Sequence, residues 1–477
     1  MKNAFLLIAV LFGISVQAQD CSCPNHFNWV KKTFEENDAG FKFAVDRKGE
    51  GAYQKHNETF AEKVKSITDK DTCLYALYDW LKFFRKGHID IDVVRDNTEK
   101  APAQPANGAK PDWEKYKGTD KQLKKYLAGI KQDGYEGIWK SEPYTIAIVK
   151  EGTGYVGFIL DGGNTVWQKG QIKIRLTTNG TKMGGVYYLR NYSEYRLEDV
   201  QMIGYNTIAL GGFTLKRDDP KLQDAPQVKS YLELINTNGP FMQQYSDKTL
   251  VLRIRSFEDN NKKAIDSVIN ANRDKILKTP NLVIDIRYNG GGSDDSYAEI
   301  IPFLYTNPIR IVNMQLLSTP HNNKRIEEYL AYEGITEDEK AQVNAMLKKL
   351  NDNIGGFVGW NDEKVYVQKL DTIHPFPKNV AILINEGNAS TSEQFLLAAK
   401  QSTKVKLFGT TTAGILDISN MHSATSPCGV ILRYCLSKSL RIPEMAIDDK
   451  GIQPDYYLDE EIPQQQWVQY AEDSFEK

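Results

Sequence analysis

The run Val380, Ala381, Ile382, Leu383, Ile384 constrains this chain more than any other stretch. Five unbroken apolar residues have the length and composition of a strand buried on both faces. Glu386, Gly387 and Asn388 then signal a turn. From Thr391 the pattern changes, with Phe395, Leu396 and Ala399 at helical spacing. Ser390 therefore stands where a buried strand hands over to a helix. Free N–H groups and the positive end of the helix dipole favour negative charge there. A nucleophilic serine gains from that placement, because its alkoxide character and the resulting oxyanion are both stabilised. The same stretch, Ser390 followed by Thr391, Ser392 and Glu393, also spells a capping box, in which the serine does no more than close the helix.

The remainder of the 477 residues is long enough for two or three domains. Hydrophobic residues at 41% and charged residues at 26% give the balance of a globular protein rather than a disordered one. A formal charge of −2 supplies no reason to expect nucleic acid or an anionic membrane as partner. Residues 1–18 read as a secretory signal peptide: Lys2, an apolar stretch over 4–14, and the small-residue site Val16, Gln17, Ala18. That stretch is too short to span a bilayer, and no later segment could. The expected location is the periplasm or the exterior, where disulfides form. Of the five cysteines, Cys21 or Cys23 is expected to pair with Cys73 and tie down the amino terminus. Cys428 and Cys435 lie in one strand or hairpin, and the odd count leaves at least one thiol free. No matching Cys/His pair accompanies Cys21 and Cys23, so no metal site is expected.

Residues 19–96 are expected to form a helical amino-terminal domain. Phe27, Val30 and Phe34 mark one apolar stripe, and Leu74, Leu77, Trp80, Leu81 and Phe84 a stronger one. Arg85 and Lys86 suit the negative end of a helix dipole, and Gly87 fits the position just past it. Residues 88–93 alternate, which predicts a short strand with His88, Asp90 and Asp92 on one face. Residues 97–112, rich in proline and alanine, read as a linker. Residues 113–220 hold several strand-like runs separated by Gly/Asn turns, the pattern of a small barrel or sandwich inserted in the chain. Over 221–477 strands and helices alternate. A second apolar strand there ends in the cluster Gly290, Gly291, Gly292, whose backbone can approach a ligand closely. The charged helical stretch 322–350 is placed to cap a cleft.

Five motifs occur in order: Asp285-Ile286-Arg287, Asn289-Gly290-Gly291-Gly292, Ala389-Ser390-Thr391-Ser392-Glu393, Gly409 through Thr412 to Gly414, and Gly451-Ile452-Gln453-Pro454-Asp455. Together they resemble the carboxyl-terminal processing and tricorn-like serine peptidases, especially their exported Bacteroidetes-type members, over about residues 228–458. The resemblance implies a ββα-spiral core like that of the crotonases, with Ser390 as nucleophile and peptide-bond hydrolysis as the activity. Lysine-using members keep a lysine directly after the Thr-x-x-Gly segment; here Ile415 stands there. The tricorn-like branch takes a histidine from an Asp-Gly-His setting, and Lys86-Gly87-His88 matches its last two residues. That branch also places an acid three residues before the Gly-Ile-x-Pro-Asp segment, where Asp448 stands in place of the usual glutamate. The peptide-tail-binding module of the processing branch is not evident.

The residues themselves are coherent with this. Ser390 needs a base within hydrogen-bond reach, and there are only six histidines. His26 and His56 fall in helical stripes, His321 in the charged stretch and His374 beside a proline; His88 is the expected base, with His422 its competitor. Asp448 would fix the imidazole tautomer and raise its pKa. The N–H groups of Gly291 and Thr391 would hold the oxyanion, with Gly290 or Gly292 as substitutes, and Ser392 would point away. The expected fold class is α/β: a ββα-spiral catalytic domain, a helical amino-terminal segment and an inserted all-β domain. The expected partner is a peptide or protein substrate, with no metal, no organic cofactor, no nucleic acid and no membrane span. The rival reading is a catalytically silent relative that binds peptides or apolar ligands in the same cleft.

Overall fold

The computed structural model describes residues 20–94, 110, 112–130, 134–180, 182–197, 200–211, 213–361, 363–459 and 461–476. The expected signal peptide and nearly all of the 97–112 linker lie outside the described residues. The architecture is mixed α/β, with a helical amino-terminal segment and two large sheets besides the one that carries the site.

The apolar runs do form doubly buried strands. Thr249–Arg253, Asn281–Asp285, Asn379–Ile384, Val405–Gly409 and Tyr456–Tyr457 run parallel in that spatial order, and Phe241–Ser246 pairs antiparallel on the outer edge. One face, carrying Leu282, Ile284, Ile382 and Ile384, packs on Ile265 and Ile269 of helix Asp259–Ile276 and on Phe395 and Leu396 of helix Thr391–Ala399. The alternate residues Val283, Ala381 and Leu383 face Trp467, Val468 and Ala471 of helix Trp467–Phe475. Each fully buried Leu or Ile contributes about 1.5–3 kcal/mol, so this three-layer stack is rigid support. Asp285 and Leu383 are in register, so the loops that follow them leave the same sheet edge side by side. This brings the triple glycine against Ser390.

A second sheet is built on the long strand Val430–Ser439. One of its sides carries Ile418–Thr425; the other carries Asp90–Val93 over residues 430–433 and Met314–Leu317 over 437–439. The amino-terminal helices pack on it. Phe27, Phe34, Leu77 and Trp80 share one core with Leu432, Tyr434 and Leu436, and also with Val343, Met346 and Leu350 of helix Glu337–Asn351. The charged stretch 322–350 thus completes the helical core rather than standing alone as a cap: Thr319 and Asn322 also hydrogen-bond Asn37. His88 does not share a strand face with Asp90 and Asp92. The strand begins at Asp90, and His88 precedes it with φ +53°.

The insert contains nine antiparallel strands in one sheet, from Gly137–Ser141 to Thr214–Asp219 in sequence, with helix Asp120–Leu127 on one face. Residues from Trp139 to Leu215 on the other face enclose a single core. Among the described residues no ladder joins the two end strands, Glu194–Leu197 and Gln201–Ile203.

Two disulfides staple the molecule. Cys23–Cys73 closes the helical segment, and Cys21–Cys428 joins its first residues to the turn before Val430–Ser439, while Cys435 is a buried thiol. Peptide mapping without reduction should return both pairs, with Cys435 alkylated only after unfolding. Cys73→Ser should lower stability by about 2–4 kcal/mol, since the loop it closes is released in the unfolded chain. Recovery of either pair as free thiols would contradict the assignment.

Candidate active site

Ser390 has φ +57° and ψ −125°, a conformation that costs an L-residue about 1–3 kcal/mol. The strain is held in place by its neighbours. The Ser390 N–H donates to the Ile415 carbonyl at 2.8 Å, and Asn388 donates its side-chain N–H groups to the Ile286 and Asn289 carbonyls. The serine hydroxyl does not cap the helix. Nor does Glu393 reach back to Ser390. Its buried carboxylate accepts from the Gly414 and Ile415 N–H groups at 2.8 Å and from the Thr412 hydroxyl. The capping-box residues therefore serve another purpose, which is to fix the 412–415 segment against the serine. Ser392 is fully buried, and its hydroxyl donates to the Asn289 carbonyl at 2.7 Å.

The glycines are needed where they stand. Gly291 has φ +106°, and a β-carbon there would lie 2.8 Å from Ser390 Cβ and 2.9 Å from the Thr391 nitrogen. The Gly291 N–H itself donates to Asn289 Oδ1 at 3.0 Å, so the expected oxyanion donor is already engaged. The N–H groups of Gly290, Gly292 and Thr391 have no protein partner among the described residues. Beneath this loop lies Asp285, fully buried. It accepts from Arg287 Nε and Nη2 at 2.9 and 2.6 Å and from Arg253 at 3.0 Å. Burial pushes its carboxyl up, but the two guanidinium groups outweigh that and hold it down at about 2. Arg287 is in turn sandwiched between Tyr231 and Trp467, with ring centroids at 5.0 and 5.2 Å.

His88 is brought in by the amino-terminal segment. Its Nδ1 lies 2.7 Å from the Ile418 carbonyl. A carbonyl only accepts, so this contact requires the proton on Nδ1 and leaves the Nε2 lone pair open for a proton from a hydroxyl. Burial lowers the His88 pKa below 6.5, against the raising effect of the Ile418 bond and with a further lowering by Arg85. Among the described residues Asp448 forms no hydrogen bond with the ring, contrary to expectation. Its carboxylate accepts from the N–H groups of Leu416 at 2.7 Å, Asp417 at 2.6 Å and Ile418 at 3.2 Å. It orders the turn whose next carbonyl holds His88, and it acts on the histidine only through that turn. Asp417 supports Asp448 in the same way, accepting from the Ile447 and Asp448 amides and from Arg441.

Neither Asp38 nor the true role of Arg85 was legible in the sequence. Arg85 is buried and forms a bidentate pair with Asp38 at 2.7 Å for both bonds, instead of pointing to a helix end in solvent. Its remaining N–H groups donate to the Gly87 carbonyl at 3.1 Å and the His88 carbonyl at 2.8 Å. These bonds hold the left-handed backbone at His88. The competitor His422 lies elsewhere. It sits on strand Ile418–Thr425, roughly 13 Å along from Ile418 at the usual strand rise, and its ring faces His321 and Tyr434. Ile415 occupies the place of a lysine base, with its side chain against Gly87 and its carbonyl on Ser390. No hydrogen bond joins His88 to Ser390 among the described residues; both are tied to the same turn, three residues apart.

Residues 248–458, which carry Ser390, both glycine-rich loops and Asp448, match the sequence profile of peptidase family S41. Two curated relatives are each a probable CtpA-like serine protease. That of Staphylococcus haemolyticus is 26% identical over 210 residues, 44% of this chain, and that of Staphylococcus aureus (strain bovine RF122 / ET3-1) is 36% identical over 81 residues, 17% of this chain. The matches span only 33% and 16% of those two proteins' own lengths. Among solved structures, mature CPAF complexed with lactacystin aligns over 95% of this chain and 97% of its own, at 12% identity and a TM-score of 0.50, a likeness of fold. The region that forms the parallel sheet and the Ser390 turn is thus similar to peptidase family S41.

Proposed function

We propose that this chain is an exported serine peptidase that hydrolyses peptide bonds with Ser390 as nucleophile and His88 as base. One observation carries the reading: the 415–418 turn holds both groups. The Ile415 carbonyl accepts a hydrogen bond from the Ser390 N–H, and the Ile418 carbonyl accepts one from His88 Nδ1–H. Three residues of chain reach at most about 10 Å, so serine and imidazole approach the same small volume. His88 Nε2 would take the Ser390 proton as Oγ attacks the scissile carbonyl, then return it to the leaving amine; water repeats the cycle on the acyl-enzyme. The Thr391 N–H and one from Gly290 or Gly292 would hold the oxyanion, since the N–H of Gly291 is engaged. The Ser390–His88 bond would close on substrate, as catalytic hydrogen bonds often tighten only in the complex. The two disulfides suit an oxidising compartment, and no helix among the described residues is long and apolar enough to cross a membrane. In this reading the catalytic domain is a ββα-spiral and the insert's nine-stranded sheet a small barrel or sandwich, with peptide or protein substrates.

A fluorophosphonate probe should label the protein at Ser390 and fail to label Ser390→Ala, whose stability should stay within about 1 kcal/mol because the hydroxyl makes no cap. Labelling that persists in the variant, or never occurs in the parent, sinks the nucleophile; the second result favours the silent relative.

Because burial lowers the His88 pKa from its ordinary value of 6.5, the neutral imidazole is the major form at pH 6.5 and above. Peptidase activity should therefore lose half its value on the acid side at a pH below 6.5 and rise to a plateau toward neutrality. An acid limb centred above 7 would instead require a carboxylate beside the ring. His88→Ala should cut turnover by about 10⁴-fold or more, while His422→Ala leaves it unchanged.

Asp448→Asn separates direct from indirect action. A carboxylate bonded to the imidazole would cost about 10⁴-fold on that change, through the wrong tautomer. Acting through three amides, Asp448→Asn should cost turnover roughly 10–100-fold and stability about 1–3 kcal/mol, from the N–H groups it leaves poorly paired.

A further inference from the structure

A cavity of about 520 Å³ opens between helix Phe41–Lys48 and the segment 438–450, with neither Ser390 nor His88 in its wall. That volume is within the range of small-molecule sites. Its apolar lining comes from Phe43, Phe357, Ile442 and Pro443. Lys42, Lys438 and Lys450 reach into the same space. The Lys438 ammonium lies 4.1 Å from the centroid of the Phe357 ring. Burial lowers its pKa, and the nearby Lys42 lowers it further, so two like charges face each other in a partly dry recess.

Two of the three local acids are engaged elsewhere. Asp448 lines the cavity, but its carboxylate is occupied by three backbone N–H groups. Asp449 is bonded to Arg47 at 2.6 Å. Asp46 is the other acidic lining residue, and it forms no ion pair among the described residues, nor do Lys42 and Lys450. Such a recess carries more positive than negative charge around an apolar floor. An ion of opposite sign would relieve the repulsion, and an apolar body would remove the floor from water.

We propose that this cavity binds a carboxylate carried on an apolar body, with Lys42 and Lys438 as its charge partners. Inorganic phosphate meets only half of that requirement, because it leaves the phenyl and proline walls wet. Both a free aliphatic acid and the carboxyl terminus of a peptide ending in an apolar residue have the required chemistry. The occupant would sit against Asp448, behind the turn that orders His88. The site does not depend on the peptidase reading.

The test is titration calorimetry on full-length Ser390→Ala, which keeps any peptide intact whatever the activity of the parent. The probes are dodecanoate, dodecylamine, inorganic phosphate, and a hexapeptide ending in leucine as free acid and as amide. Saturable one-site binding of dodecanoate or of the free-acid peptide is expected, without matching binding of the amine, the amide or phosphate. Which of the two acids binds identifies the source. Lys42→Glu and Lys438→Glu should each weaken it about tenfold or more. Lys42 is exposed, so Lys42→Glu should keep the parent's melting temperature and remain informative if Lys438→Glu unfolds. Absence of saturable binding by either acid, equal binding of the amine, or affinity unchanged by Lys42→Glu overturns the proposal.

Discussion

The buried pair Asp38–Arg85 is the constraint on which the site depends. Two charges leave water to form it, and such a pair adds little net stability over an apolar substitute. Removing one partner, however, strands the other at a cost of about 3–5 kcal/mol, so the pair defines one arrangement and penalises the rest. Asp38 also accepts from the Gly40 and Cys435 N–H groups, and Arg85 donates to the Gly87 and His88 carbonyls. One ion pair thereby joins the end of the first helix, the central strand of the second sheet, and the left-handed turn at His88. These contacts fix His88 against the same 415–418 stretch that holds Ser390, some 300 residues further along the chain.

The same logic recurs on the far side of the site. Glu393, Asp417 and Asp448 are buried carboxylates that accept mainly from backbone N–H groups of the 412–418 stretch and its neighbours. A buried carboxylate without such donors would lose several kcal/mol of hydration. Loop amides without acceptors would be costly too, so each satisfies the other. The result is an irregular loop with the fixity of regular structure. Burial raises the Glu393 and Asp448 pKa values, and the amide donors oppose the rise.

The strained turn at Ser390 rests on a different kind of support. Strands Asn281–Asp285 and Asn379–Ile384 are covered on both faces, and the Asp285 cluster with Arg253 and Arg287 fills the polar end of that layer. A rigid sheet edge can hold a serine at positive φ and a glycine pressed against it, where a mobile loop would relax.

Short-range signals settled the frame. The apolar runs at 282–284 and 380–384 had to be buried strands, and the stripe through Leu77 and Trp80 had to be a buried helix face. Each follows from periodicity or composition within a few residues. What the neighbouring residues could not decide was which buried polar group meets which. Ser390 to Glu393 is locally a capping box, yet Glu393 found stronger donors in residues 414 and 415. Asp448 stands where a triad acid is expected, yet three amides reached it first and the Ile418 carbonyl took the imidazole. Cys21 pairs with Cys428 across 407 residues, and Arg85 with Asp38 across 47. The physical reason is that propensity and amphipathicity act along the chain, whereas desolvation acts in space: a buried donor or charge must be matched by whatever the completed fold places beside it.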